Sequence, residues 1–352
     1  MIMKQILYKT IAIAAMFAVV VNMSAKSWRV NSNTTRGANF ADINAAMSSE
    51  EVQDGDTLYL DPGCNLTADQ DVTKRVTIIG TGFFHDKQQP YGFANISGAT
   101  VLRATGCKIE GVVMTGQCSI QANNVTVERC KVMTAYPIYT YGSNCKNATI
   151  RNCWINSTSE NCIRGQGRDN INTAYWTIEN NIITLTGYYG RGIYEFNSAT
   201  IRNNYIIRDG NPGYDYDCLE SLANSTICNN ILVNNKNKNS VIVGCIDCVI
   251  NHNVISSAEN STYPQNKYLD SNDQAAIFVM TGANDLQYQL CEGSPAKGYA
   301  TDGGDCGPYG SGYTYVPGGL PLGNPYYTEA TIGSVAHDGK VNVTLKISVQ
   351  DE

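Results

Sequence analysis

Apolar and polar residues alternate in short bursts along the middle of the chain, and the bursts recur. "VTVERCKVM" begins at Val125, "ATIRNCWIN" at Ala148, "WTIENNIIT" at Trp176, "ATIRNNYII" at Ala199, "STICNNILV" at Ser225 and "CVINHNVIS" at Cys248. They align on Val127, Ile150, Ile178, Ile201, Ile227 and Ile250, at intervals of 23, 28, 23, 26 and 23 residues. A looser earlier copy, "CKIEGVVMT", centres on Ile109. A period in this range marks a solenoid. Ala199 and Ile201 fall on one side of a strand, Thr200 and Arg202 on the other. No run carries a helical stripe, so each repeat is one turn of a coil built from short strands.

Three residues past each central position stand Cys130, Cys153, Asn181, Asn204, Asn230 and Asn253. In a stacked coil that slot repeats every ~4.8 Å, the spacing of paired strands. Asn tolerates left-handed backbone and bonds a neighbouring chain through its amide. A column of Asn at one bend predicts a hydrogen-bonded ladder along the axis.

With "ATIRNNYII" and its copies in view, the chain resembles the right-handed parallel β-helix repeat proteins, the pectate-lyase-like group, of the uncharacterised bacterial cell-envelope type. The likeness spans roughly residues 54–306. It implies an all-β solenoid of three sheets with an Asn ladder at the tight bend between the second and third. "ATIR" then belongs to the second sheet, "YII" to the third, and "LES" (219–221) to the first after a long loop. The scaffold hosts many functions, so the likeness speaks for fold before activity.

The ends read as caps. "FADINAAMSSEEVQDGDTLYLDPG" predicts a short helix from about Phe40 to Ser49 and then a strand, "DTLYL"; a solenoid needs a polar cover on its first coil. "GSPAKGYATDGGDCGPYG" resembles a closing segment after the last coil. A Pro/Gly-rich link, "VPGGLPLGNP", leads to "KVNVTLKISV", expected as a strand docking on the solenoid. Ile78 to Ile109 is a gap of 31 residues, an insertion expected as a loop over one face.

Lys4 and Lys9 precede "IAIAAMFAVVV", and "MSA" ends at Ala25, the pattern of a secretory signal cleaved near Lys26. The run is short for a membrane span, no cysteine follows the cut as a lipid anchor would need, and no other segment reads as transmembrane. The organisation is therefore a signal peptide over 1–25, a parallel β-helix with its cap over 26–315, and a link and tail over 316–352. The mature protein is expected in the periplasm, on the cell surface or outside the cell.

Composition changes this picture little. The net charge of −6 and the lack of a basic run argue against a nucleic-acid partner. Thirteen cysteines in an exported chain invite disulfides, and the odd count leaves at least one unpaired or pairing between chains. Their stacking points instead to core thiols: Cys130 and Cys153 share the ladder slot, and Cys107 and Cys248 share an inward slot. "CIDC" (245–248) is the only CxxC, and His85, His252 and His337 are scattered, which disfavours zinc.

In enzymes of the resembled fold, substrate lies on the first sheet. Ile193 and Leu219 both stand eight residues before their central positions. If they point inward, Tyr194 and Glu220 point outward in neighbouring rungs. Arg164 and Tyr139 extend the row, with a one-residue slip left open because their bends differ in length. Loops taken to precede the sheet add Arg168, Tyr188, Tyr189, Arg191, Asp215 and Asp217. Aromatic faces cover sugar C–H surfaces, while Arg, Asp and Glu bond hydroxyls or uronate carboxylates. Strict alternation would bury Glu195, so it needs a partner such as Arg191 or a bulge in its strand.

The expected partner is a polysaccharide, bound or acted on. A lyase needs a base and a cation beside the uronate carboxylate; Arg164 and Tyr194 suit those roles, with Glu220 beside them. No cofactor is assigned, calcium being the one ion kept in view. The row lacks the outward Asp cluster of calcium lyases, and hydrolysis needs two carboxylates, Glu220 with Asp215 or Asp217. A non-catalytic glycan binder or adhesin-like surface protein fits the same pattern, and the oligomeric state stays open.

Overall fold

The structure, a computed structural model, describes residues 24–83, 92–140, 145–187, 189–209, 217–234, 241–256, 263–269, 273–282, 284–310, 313–323, 325–333 and 339–349. The signal-peptide reading concerns a segment whose residues 1–23 lie outside that range. Strands form three all-parallel sheets of eight, ten and ten strands, and each coil between the two ends contributes one strand to each. The protein is an all-β parallel β-helix.

The repeat register is as the spacing predicts. In the second sheet Val127 pairs with Ile150, Ile150 with Ile178, Ile178 with Ile201, Ile201 with Ile227 and Ile227 with Ile250. These side chains point inward and form one long buried core.

Each "NN" pair divides its labour. Asn180, Asn203 and Asn229 take left-handed φ of 53°, 54° and 58° and turn the chain between sheets, as do Arg129, Asn152 and His252 in the same slot. The following residue forms the ladder. Asn204 Nδ2 donates to Asn230 Oδ1 (3.0 Å), Asn230 Nδ2 to Asn253 Oδ1 (2.9 Å) and Asn253 Nδ2 to Asn266 Oδ1 (2.9 Å). Each amide also reaches the central carbonyl of the coil before, as Asn204 does Ile178 (2.8 Å). Cys130 and Cys153 repeat that contact, their thiols donating to Ile109 O (3.8 Å) and Val127 O (3.5 Å). The ladder thus continues through cysteine as a weak donor.

A helix, Ile43–Ser48, covers the first coil. Asp42 caps it by accepting from Ala45 N, and Ile43, Ala46 and Met47 are buried. The strand Thr57–Leu60 follows.

The carboxyl-terminal segment lies along the outer face of the third sheet. Ile277, Phe278, Ala296, Ala300, Cys306 and Tyr315 form a second core with the outward residues Ile182, Tyr205, Ile207, Ile231 and Val233. That explains why "ILV" and "YII" are apolar throughout: a sheet buried on both faces has no polar side. The strand Val343–Val349 pairs antiparallel with Pro325–Ile332. The tail expected to dock on the solenoid therefore finds its strand partner in the residues just before it, and Val343, Leu345 and Ile347 are exposed.

A charged row also runs along the second sheet. Arg129, itself buried, contacts Glu110 (2.7 Å) and Glu128 (2.8 Å). Lys108 contacts the same two carboxylates, and Arg151 reaches Glu128. Burial alone would raise the Glu128 pKa, but the three cations together hold it below the ordinary carboxylate value.

Candidate functional site

The first sheet aligns Tyr139 with Arg164, Arg164 with Tyr194 and Tyr194 with Glu220. No register slip intervenes. These are outward positions, since Ile138, Ile163, Ile193 and Leu219 beside them are fully buried.

Arg164, Tyr194 and Glu220 are half-buried and share one surface. Tyr139 is buried instead, with Tyr136 edge-on at 5.6 Å and the Arg164 guanidinium 6.0 Å from its ring. It backs the strip and does not line it. Asp217 is buried as well. Tyr189 is exposed. Tyr188 and Asp215 lie outside the described residues.

Two cross-coil ion pairs frame Tyr194. Arg191 Nε donates to Glu220 Oε2 (2.6 Å) and its Nη2 to Oε1 (3.1 Å). Arg164 Nε donates to Glu195 Oε2 (3.0 Å). The Arg191 guanidinium lies 4.6 Å from the Tyr194 ring and that of Arg164 5.6 Å, both within cation–π reach. Burial, and then the Glu195 carboxylate, push the Tyr194 phenol above its usual pKa despite the opposing pull of Arg191. Arg191 is aimed by its own backbone: its N–H donates to Asn161 Oδ1 (2.8 Å). Gly190 at φ 136° makes the approach, where a Cβ would strike the Glu160 backbone.

Glu195 resolves as a bulge. It takes φ 64°, and Ser221 in the next coil takes φ 56°. Pairing resumes at Phe196 with Leu222, both buried. The left-handed residue swings the carboxylate out to Arg164, not to Arg191. Gly165 permits this, because a Cβ there would run into the Glu195 carbonyl oxygen.

The bulge floors an open cleft of about 710 Å³ lined by Gln166, Gly167, Arg168, Asp169, Asn170, Glu195 and Ser221. Its wall is the segment after the strand Ile163–Arg164, leading into a 3₁₀ turn at Ile171–Thr173 capped by Asn170. Arg168 therefore belongs to the loop that follows the first sheet, not to one preceding it. Arg168 is tied at its carbonyl by Asn197 Nδ2 (2.5 Å), and its guanidinium is 4.0 Å from Asp169. Sequence reasoning missed Gln166, Asn170 and Ser221, because a wall made by an irregular loop leaves no periodic mark. The polar string "RGQGRDN" was its one signal.

Among the described residues, no three His, Cys, Asp or Glu side chains converge as metal ligands would, and no helix is long and apolar enough to cross a membrane. The chain matches no known protein-family model, and a search of curated proteins gives no match either.

Proposed function

We propose that this chain is an exported protein of the pectate-lyase-like kind that binds polysaccharide along its first sheet. The observation that carries this reading is the in-register row Arg164, Tyr194 and Glu220 beside an open cleft whose named lining is polar or glycine. A hydrophilic cleft with guanidinium, amide, hydroxyl and carboxylate groups, beside a row held on paired strands, suits a hydroxyl-rich chain better than an apolar small molecule, whose sites are largely apolar.

Binding is favoured over bond cleavage. Glu195 and Glu220, the carboxylates on the first-sheet strands of the strip, are each held by an arginine, whereas a hydrolase needs one carboxyl acting as acid and another as base or nucleophile. Tyr194 sits with its pKa raised, the wrong direction for a lyase base at neutral pH.

The test is a panel of acidic and neutral polysaccharides presented to the purified protein with and without calcium. Retention on one glycan, with no reducing ends released and no unsaturated product, is the expected result. Retention on none overturns the reading, and turnover lost in Tyr194→Phe would replace it with the lyase alternative.

A further inference from the structure

Nine of the thirteen cysteines are buried, and such thiols pack as small hydrophobes. Cys245 and Cys248 differ. They stand in one bend of the last coil, between the strands Ile242–Val243 and Val249–Asn251. Those strands end the first and second sheets. The bend is stacked on the preceding coil: Ile246 N donates to Leu222 O (2.9 Å), Val249 N to Ser225 O (2.9 Å), and Asn224 N to Ile246 O (3.0 Å).

Cys107, in the same inward slot as Cys248 several coils earlier, is fully buried. Among the described residues no first- or second-sheet strand lies beyond Cys248, which is half-buried, as is Cys245. Both residues pack against the core, as do Tyr263 and Tyr268. Left-handed Gly244 (φ 62°) and Asp247 (φ 53°) fold the bend, within which the Cys245 thiol donates to Val243 O (3.8 Å) and the Cys248 thiol to Ile246 O (3.4 Å).

We infer that the half-exposed Cys245 and Cys248 form a dithiol site for thiol–disulfide exchange where the first and second sheets end. The inference is independent of the glycan reading.

The chemistry follows from the pairing. As neighbours the two thiols shift each other: Cys245 brings the Cys248 pKa down to about 7, and Cys248, with burial, drives that of Cys245 up. The groups facing them are Asp247 and Asp217, with Tyr263 nearby. The Cys248 thiolate attacks one sulfur of a disulfide R–S–S–R. The S–S bond breaks, a Cys248–S–S–R bond forms, and RS⁻ leaves and takes up a proton. Cys245 then loses its proton to water, and its sulfur attacks Cys248, releasing the second thiolate. Two protein thiols are oxidised by two electrons, and the disulfide is reduced to two RSH. The closed ring staples this bend of the coil.

The test treats the folded protein with oxidised glutathione and maps every cysteine by peptide mass analysis. The expected result is a Cys245–Cys248 crosslink forming before any other cysteine reacts, with a rate that rises through about pH 7. Cys245→Ser should trap a stable Cys248–glutathione adduct, and Cys248→Ser should slow the first step by about tenfold or more. Earlier reaction at another cysteine overturns the inference. So does a wild-type protein in which both sulfurs carry separate glutathiones without closing on each other.

Discussion

Arg191 grips Glu220 by two parallel hydrogen bonds, 2.6 and 3.1 Å long, across the step from one coil to the next. The geometry is the bidentate fork that guanidinium and carboxylate prefer. It fixes both groups on the strip where a sugar hydroxyl would meet them. Because the pair is largely shielded, its loss should register: Arg191→Ala is expected to lower stability by about 1 kcal/mol, read as a lower urea midpoint. An unchanged midpoint would mean that Glu220 is held by its strand alone.

The ladder makes a sharper prediction. Asn204 accepts from Asn181 N and Nδ2 and donates to Ile178 O and Asn230 Oδ1, all buried. Asn204→Ala strands several of those groups, each costing about 1–3 kcal/mol. Cys153→Ala removes only weak thiol contacts to Val127 O and Arg151 O, so about 1 kcal/mol is expected from the lost packing and bond. Urea denaturation of the two variants should rank Asn204→Ala clearly below Cys153→Ala; the reverse order would remove the ladder from the account of stability.

Asp285 should give the protein a distinctive pH response. Its carboxylate is buried under the carboxyl-terminal segment, accepting from Tyr315 OH (3.0 Å) and Gly318 N (2.7 Å). Burial raises its pKa, against the pull of those two donors and of Lys131. For an acid whose folded pKa is raised, the stabilising contribution is complete below the unfolded value, roughly 3.9, and is lost as pH rises through the folded one. Asp285→Asn abolishes that loss. Glu128 works in the opposite sense, losing stability as pH falls through its lowered pKa, but both proteins carry it and the difference cancels. The unfolding free energy of Asp285→Asn relative to the parent should therefore climb between pH 4 and pH 7. A flat difference would mean that Asp285 does not titrate with folding.

The sequence made the coil legible because its central apolar residues are interior by strand alternation and recur once per turn. The same counting placed Tyr194 against Glu220, since each stands seven residues before its central position, Ile201 or Ile227. What alternation does not encode stayed hidden. Glu195 and Ser221 break the pleat with left-handed backbone, and neither is a glycine that would have announced it. Asn266 extends the ladder from a coil that adds no strand to the second sheet, so no central apolar residue marks it. The union of Asp285 with Tyr315 and Gly318 is long-range, and only the unbroken apolar runs of the third sheet hinted that something covered them.

The most direct test of the central claim is a calorimetric titration of the retained glycan against the parent protein, Arg164→Ala and Arg168→Ala, with Arg103→Ala as a control. Arg103 lies on an earlier coil, paired with Asp71 on an exposed surface. The account predicts that Arg164→Ala and Arg168→Ala each weaken binding by about tenfold, about 1.4 kcal/mol, while Arg103→Ala leaves it unchanged. Equal affinity in all four proteins would place the glycan elsewhere and contradict the assignment of the first-sheet strip.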